Sequence, residues 1–495
     1  MDGWIITTSM IGVFLLVSLG LGFLARARSD EGAEDFLICG RKTRFWLLYF
    51  TVVASFHSAF VLLGAPAAFY KHGVSFWVAG VWTMLVGALG IVLGPRIWAL
   101  GKRFGHITPA DLLGHFYGGS AVRLMVAGIS ILFTMTYIQA QAQGLGYILT
   151  EATQGKIPEA VATGILIAVA GLYLTIGGLR AIYFTDALQG IWMYIALWVA
   201  AIWIVADEKV GGVTGLFSHL AEERPEWLTL PGPQGFFGNA NWFAFGWIFS
   251  LGILLQPHLF MRYYSAIDAK TVRWLGATTP IYLTTLFIPA ALVGLSGLIL
   301  LPDLQGSDID LVLPRLLTGH VSPWLAGLIL AGAAAAAMST VDSIIHANMT
   351  IFTRDLYQRF VKPDASDRQL VFVGRFLAWG LLLIAYLLTT IRPDFLVRLV
   401  GLSGAGAMQL APCVAGALFP KWIRFTSKGA CAGLVVGLIV LIDGTISPTH
   451  QVLGLHPAIL AVLVNLVVTS LVSRVTKPHS EEQREAVRDC LSKMS

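Results

Sequence analysis

The chain has 495 residues, 56% of them hydrophobic and only 12% charged, and its mean hydropathy is +0.74. A soluble domain of this size carries about 25% charged residues, so a globule covered by polar surface is excluded and the bilayer is the intended solvent. The net charge of +5 says little as a sum, and its distribution along the chain says much more.

The predicted helices run over 4–25, 43–70, 73–99, 121–150, 158–178, 181–205, 240–262, 271–301, 323–352, 369–391, 394–420, 429–447 and 455–473. Each is long enough for the roughly 20 apolar residues that a crossing needs. The first, Trp4 to Ala25, lacks a basic segment before it and reads as a retained helix rather than a signal peptide. Connections alternate in basic content. Segments 26–45, 96–123, 180, 262–273, 354–375, 421–428 and 474–493 hold 26 of the 33 Lys and Arg. The opposite side holds Lys71, Lys156, Lys209, Arg224, Arg315, Arg392 and Arg398. Lys and Arg resist translocation, so the rich side is cytoplasmic. The N-terminus is then outside and the C-terminus inside, which requires an odd number of crossings and agrees with thirteen. The 15 Trp suit interfacial anchoring. The long external loop, 206–239, is rich in Gly, Pro and Trp, and the polar tail after Lys477 is too short for an output domain.

Two spans contain helix breakers. Phe56 to Tyr70 carries Gly64-Ala65-Pro66, and Phe249 to Tyr264 carries Gln256-Pro257-His258. Proline removes a donor and frees backbone carbonyls, which a membrane tolerates only where they line a polar cavity or coordinate something. These are the second and seventh spans, running in opposite directions, so spans 2–6 and 7–11 read as two inverted halves with a midplane binding site. Two ordinary proline kinks are the plainer alternative.

Carboxylates and hydroxyls then stand out against the apolar background. Asp186 lies a few residues into the sixth span, where an interfacial cap is the bland reading, and Asp342 lies midway along the ninth. A buried carboxylate costs several kcal/mol unless it faces a partner or water. Around Asp342, a run of alanines gives a smooth packing face, and Ser339, Thr340 and Ser343 offer the hard oxygens that replace a small cation's water shell. In the fourth span Tyr137 and Gln141 share one face, and Gln139 and Gln143 another. Uncharged groups of this kind hydrogen-bond either a polar solute or neighbouring helices. Enzyme signatures are absent: no HExxH, GxxxxGK[ST], GxSxG or CxxC, and no basic-aromatic pattern for nucleic acid. The four cysteines read as small packing residues.

Gly177-Gly178-Leu179-Arg180-Ala181-Ile182 leading to Thr185-Asp186 and Gln189 resembles the GG-x-x-AV…TD…Q signature of the sodium:solute symporter family. Ala337-Met338-Ser339-Thr340-Val341-Asp342-Ser343 with Thr353-Arg354-Asp355-Leu356-Tyr357 is similar to its AxMSTxDS…TxDxY block. Gln256-Pro257-His258 with Arg262, and Gly64-Ala65-Pro66 through Tyr70 and Gly73, match two further segments. The resemblance spans about residues 35–430 and implies an all-α LeuT-type five-plus-five inverted repeat in a bacterial inner membrane. It divides the chain into an extra helix and loop (1–42), a first repeat (43–205), an extracellular loop (206–239), a second repeat (240–422), two C-terminal helices (423–475) and a tail (476–495).

By motif, the resemblance implies a site for Na+ on Ala54, His57, Ala336, Ser339 and Thr340. It implies a second cation or proton site on Asp186, Asp342 and Ser343, with Ser339 shared. It implies solute contacts at Ser58, Tyr137, Gln141, Phe249 and Gln256. The implied activity is sodium-coupled symport of a small polar solute by a monomeric functional unit, with no enzyme chemistry and no nucleic-acid partner. Proline symporters carry an Asp where this chain has Phe56, and Phe104 through Asp111 looks closer to monocarboxylate and pantothenate permeases, so a small organic anion is expected. The alternatives are a proline-type amino-acid symporter, a proton-coupled carboxylate permease and a sensory membrane module. A passive channel is a further one.

Overall fold

The computed structural model describes residues 2–26, 33–391, 396–447, 455–478 and 480–493. Arg28 and Arg392 of the basic tally, and the start of the expected span at 394, lie outside the described residues. The regular elements described are all helical. In chain order they are α1 (Gly3–Arg26), α2 (Ala33–Ile38), α3 (Phe45–Phe56), α4 (Ala65–His72), α5 (Val78–Phe104), α6 (Pro109–Tyr117) and α7 (Ser120–Ala152). Then come α8 (Glu159–Val205), α9 (Gly212–Glu223), α10 (Asn239–Trp247), α11 (Pro257–Ser265), α12 (Ala269–Leu300), α13 (Val312–His320) and α14 (Pro323–Ile351). The last are α15 (Asp367–Ile391), α16 (Leu396–Met408), α17 (Ala411–Leu418), α18 (Ser427–Ile446), α19 (Pro457–Val475) and α20 (Glu481–Ser492).

Among the described residues, nine helices are long and apolar enough to cross a membrane, or up to eleven if each of two bent pairs is one span. The bent pairs are α10 with α11 and α16 with α17, each turning by 42°. Two longer stretches divide at glycines. Gly73 follows α4 at φ 63, and Gly178 interrupts α8 at φ 61, ψ −163, a conformation that only glycine adopts without strain. A Cβ at Gly178 would also lie 2.4 Å from the ring of Phe36.

Burial sorts the helices into core and shell. The apolar window of the α14 span is 94% buried, against 22–33% for those of α1, α15, α18 and α19. The alanine run of α14 is what lets α1, α7 and α8 approach it closely. Outward residues such as Leu16, Leu132, Phe376 and Val475 are exposed and apolar, as lipid contact requires.

Three sequence expectations need correction. The first broken helix does not break at Gly64-Ala65-Pro66. Gly64 is helical (φ −68, ψ −34) and Pro66 occupies the first turn of α4, where a missing N–H costs nothing. The break lies upstream at His57 (φ −94, ψ 111), and a π-helical turn over Phe60–Gly64 joins it to α4. Secondly, Arg262 is not a loop residue but sits inside α11, 2% exposed. Thirdly, the expected loop 206–239 contains the regular helix α9. In the second broken helix the expectation agrees with the backbone: Gln256 is extended (φ −64, ψ 141) and Pro257 starts α11.

The two broken helices meet at one end through main-chain bonds. Thr43, just before α3, pairs in parallel with Ala266, just after α11. Thr43 N–H donates to the Ser265 carbonyl, and Ile267 N–H donates to that of Thr43, both at 3.0 Å.

Candidate cation and solute sites

The extended conformation of His57 ends α3 and leaves its last carbonyls without a continuing helix, next to the hydroxyl-bearing face of α14. Ser339 Oγ lies 3.1 Å from the Ala54 carbonyl and 3.0 Å from that of Ala336. Thr340 Oγ1 lies 3.2 Å from the same Ala336 oxygen. Ala54, Ala336, Ser339 and Thr340 are all fully buried. Four neutral hard oxygens from two helices thus converge where water is excluded, a donor set suited to an alkali cation. His57, the fifth expected contributor, is buried with its ring beside Tyr282 and Phe287.

A second polar cluster lies further along α3. Asp186 Oδ2, on α8, accepts from Thr51 Oγ1 at 2.5 Å and from an Arg262 terminal nitrogen at 3.3 Å. The same nitrogen reaches Ser343 Oγ at 2.5 Å and Ser55 Oγ at 3.0 Å. The two serine hydroxyls are 2.9 Å apart. The guanidinium carbon lies 4.4 Å from the centroid of the Tyr183 ring. Of the expected second-site residues, Asp186 and Ser343 therefore come together, and Asp342 is buried on α14 beside Ser343. Arg262, named in the Gln256-Pro257-His258 segment but not as a site residue, joins them here, as do Thr51 and Ser55, which the sequence pattern did not single out.

The energetics of the pair are close to balance. At 3.3 Å and an effective dielectric of about 20, attraction is roughly 5 kcal/mol. Burial costs each ion several kcal/mol. The hydroxyls tip that balance, which ties α3, α8, α11 and α14 to one point.

The expected solute residues also cluster. Tyr137 Oη donates to Ser58 Oγ at 3.3 Å, and Gln141 Oε1 accepts from Ala59 N–H at 2.8 Å, so α7 holds the residues just past the break. Gln256 Nε2 donates to Ser403 Oγ on α16 at 3.0 Å. Phe249 stacks on Phe60 at 5.3 Å and lies 5.6 Å from Trp82. His258 lies 6.1 Å from the Tyr137 ring. Gln139 and Gln143 are buried too, and Gln143 Nε2 donates to Tyr147 Oη at 2.7 Å. Several buried polar atoms here carry no hydrogen bond among the described residues: His57 Nε2, Gln256 Oε1, both ring nitrogens of His258 and Trp82 Nε1. Each such atom costs about 1–3 kcal/mol unless a water or a ligand supplies its partner.

On the side of α6, Arg123 forms an ion pair with Asp111 at 2.6 Å and with Asp355 at 2.5 Å. Thr108 caps α6 and donates to Asp355. No cluster of three or more His, Cys, Asp or Glu that could hold a metal is found among the described residues.

Broken helices facing a buried oxygen cage define a secondary transporter. Comparison with known proteins gives the family. The sequence model of the sodium:solute symporter family matches residues 36–437, and the chain belongs to that family. It is therefore a transporter rather than an enzyme, and sodium is its coupling ion. An uncharacterized symporter of Bacillus subtilis, YhjB, is 26% identical, the match covering 94% of this chain and 96% of the relative. A monocarboxylate transport permease protein of Rhizobium johnstonii is 28% identical over 93% of this chain and 94% of its own. The sodium/proline symporter of Escherichia coli is 27% identical over 88% of each. Among solved structures, a Na+-coupled sialic acid symporter in a substrate-bound outward-open state superposes with a TM-score of 0.79 at 17% identity, covering 96% of this chain and 99% of that one. The LeuT-type fold expected from sequence is the fold observed.

Proposed function

We propose that this chain imports a small organic anion of the monocarboxylate kind, with one sodium held by Ala54, His57, Ala336, Ser339 and Thr340. The observation that carries the cation site is the 3.1 Å approach of Ser339 Oγ to the Ala54 carbonyl inside a fully buried set of oxygens. External sodium bridges the broken helix α3 to α14 and favours an outward-facing state ready for solute. Solute binding then permits closure, and low cytoplasmic sodium lets the ion leave. Each charge moved down the membrane potential supplies about 2.3 kcal/mol per 100 mV.

The solute sits among Ser58, Tyr137, Gln141, Phe249 and Gln256. An ammonium group would need a carboxylate partner, and the position that carries one in proline symporters is Phe56 here, 4% exposed. The unpartnered Trp82 Nε1–H, and whichever His258 ring nitrogen carries its proton, suit an anionic oxygen instead. The permease relative from Rhizobium supports this reading. Proline-type symport is the second reading, supported by the E. coli relative. The protein works as a monomer in a bacterial inner membrane, with thirteen crossings, the N-terminus outside and the C-terminus inside.

Replacing the Thr340 hydroxyl tests the cation site. Thr340→Ala is expected to raise the sodium concentration for half-maximal uptake by at least tenfold in proteoliposomes, and unchanged affinity and rate would overturn the assignment. A thermal-shift screen of organic acids and amino acids, each with and without sodium, identifies the solute. A pH gradient that drives uptake without sodium would select proton coupling.

A further inference from the structure

The oxygens that would receive a second cation already hold one. A terminal nitrogen of Arg262 has Ser343 Oγ at 2.5 Å, Ser55 Oγ at 3.0 Å and Asp186 Oδ2 at 3.3 Å. One carboxylate oxygen and two hydroxyls around a positive centre are what a sodium ion would recruit from the same three side chains. Asp186 is further engaged by Thr51 Oγ1, and the Tyr183 ring lies beside the guanidinium. The chamber thus already holds a positive charge: Arg262 pairs with Asp186, while Asp342, the other carboxylate of the expected second site, is buried beside Ser343 on α14. A sodium placed among these oxygens would meet a guanidinium within a few ångströms in a site from which water is excluded, and the donor set does not fit it.

We propose that Arg262 is the resident cation of this second chamber, so that the chain binds a single sodium ion, at the Ser339–Thr340 cage. The tether does the structural part of an ion's work. It draws α3, α8 and α14 together from α11, but it never leaves, so it adds nothing to the number of ions coupled per solute. Arg262 is a positioning residue that sets coupling stoichiometry. This inference rests on the sodium reading given above for Ser339 and Thr340, and the test separates the two.

The test is equilibrium binding of 22Na+ to the purified full-length protein, with no solute needed. Three proteins are compared: wild type, Thr340→Ala, and the double variant D186N/R262M, which removes both charges and so leaves neither one buried alone. The expected result is one sodium per chain in the wild type, one in the double variant, and affinity weakened at least tenfold in Thr340→Ala. Two ions in the wild type would overturn the inference, whatever the double variant binds. One ion in the wild type that disappears in the double variant would also overturn it, since the Asp186 chamber would then be the sodium site. Sodium binding unchanged in Thr340→Ala, or absent from the wild type, would sink the underlying sodium reading instead. If the double variant fails to fold, the wild-type count together with Arg262→Lys decides. Lysine keeps a resident charge, so one ion is expected in both, and two ions in either would overturn the inference.

Discussion

His106 shows how a single side chain outside the spans couples folding to pH. It lies in the connection between α5 and α6, 5% exposed, with its Nε2 3.1 Å from His115 Nδ1 and its carbonyl held by Arg41. Burial depresses its pKa from 6.5 to about 3, helped by the nearby positive charges of Arg123 and Arg41 and opposed by Asp111. Above pH 6.5 both folded and unfolded chains carry it neutral. Below that, the unfolded chain takes up a proton that the folded chain refuses, so stability falls as pH falls from about 6.5 towards 3. This group alone is expected to remove about 1.4 kcal/mol between pH 7.5 and 5.5. Thermal unfolding of wild type and His106→Asn at the two pH values measures it, and the variant should lose that part of the slope. At this scale much of the candidate site was legible. Ser339, Thr340, Asp186 and Tyr137 are oxygen-bearing residues in otherwise apolar helices, and a membrane makes such residues conspicuous. Arg262 stood out beside Gln256-Pro257-His258, but its place in the site was not legible, because a basic residue at a predicted helix end reads as a loop marker. Only the fold brings Asp186, Ser55 and Ser343 to it.

Between elements, some of the closest approaches are backbone to backbone. Gly252, ending the π-helical turn over Ile248–Gly252, approaches Gly404 on α16 so closely that a Cβ would lie 2.3 Å from the Gly404 carbonyl oxygen. Neither partner is a flexible side chain, so the clash cannot be relieved locally. Gly252→Ala is expected to destabilise the protein by about 1–3 kcal/mol. Gly12→Ala on α1, where a Cβ meets nothing within 4 Å, is the control. There alanine is expected to be neutral or stabilising by up to about 1 kcal/mol. A melting temperature that drops equally in both variants would contradict the packing argument. Helix positions followed well from hydropathy, whereas the break in the first core helix did not. Proline marks a missing donor, but a proline in the first turn of a helix has no donor to miss. The real interruption, at His57 and Ser58, carries no breaker residue and is held instead by Gln141 and Tyr137 from α7. The π-helical turns at Phe60–Gly64 and Ile248–Gly252 leave no compositional trace, since they arise from tertiary fit rather than propensity.

At the level of the whole molecule, topology is the property that charge alone predicts and geometry alone does not. The thirteen crossings proposed above would put the α9 loop outside and α20 in the cytoplasm. Glu226 and Glu482 are both exposed, and that topology would set them on opposite sides. In a background lacking the four native cysteines, Glu226→Cys is expected to react with a membrane-impermeant maleimide in intact cells. Glu482→Cys should react only after permeabilisation, and labelling of both in intact cells would refute the odd number of crossings. The tail itself is more ordered than its polarity suggested. Ser480 caps α20, Arg484 donates to the Phe425 carbonyl at 2.5 Å, and Val487 is buried.

The backbone bridge between Thr43 and Ala266 sets a condition on how cargo reaches the cytoplasm. It binds the beginning of one discontinuous helix to the end of the other through main-chain groups, which no change of side chain except to proline deletes. If the exit route parts these two segments, a pair of amide–carbonyl links must be surrendered in every cycle and their groups handed to incoming water. Release of the ion and hydration of that seam would then be one event, and a dry seam would be a shut door.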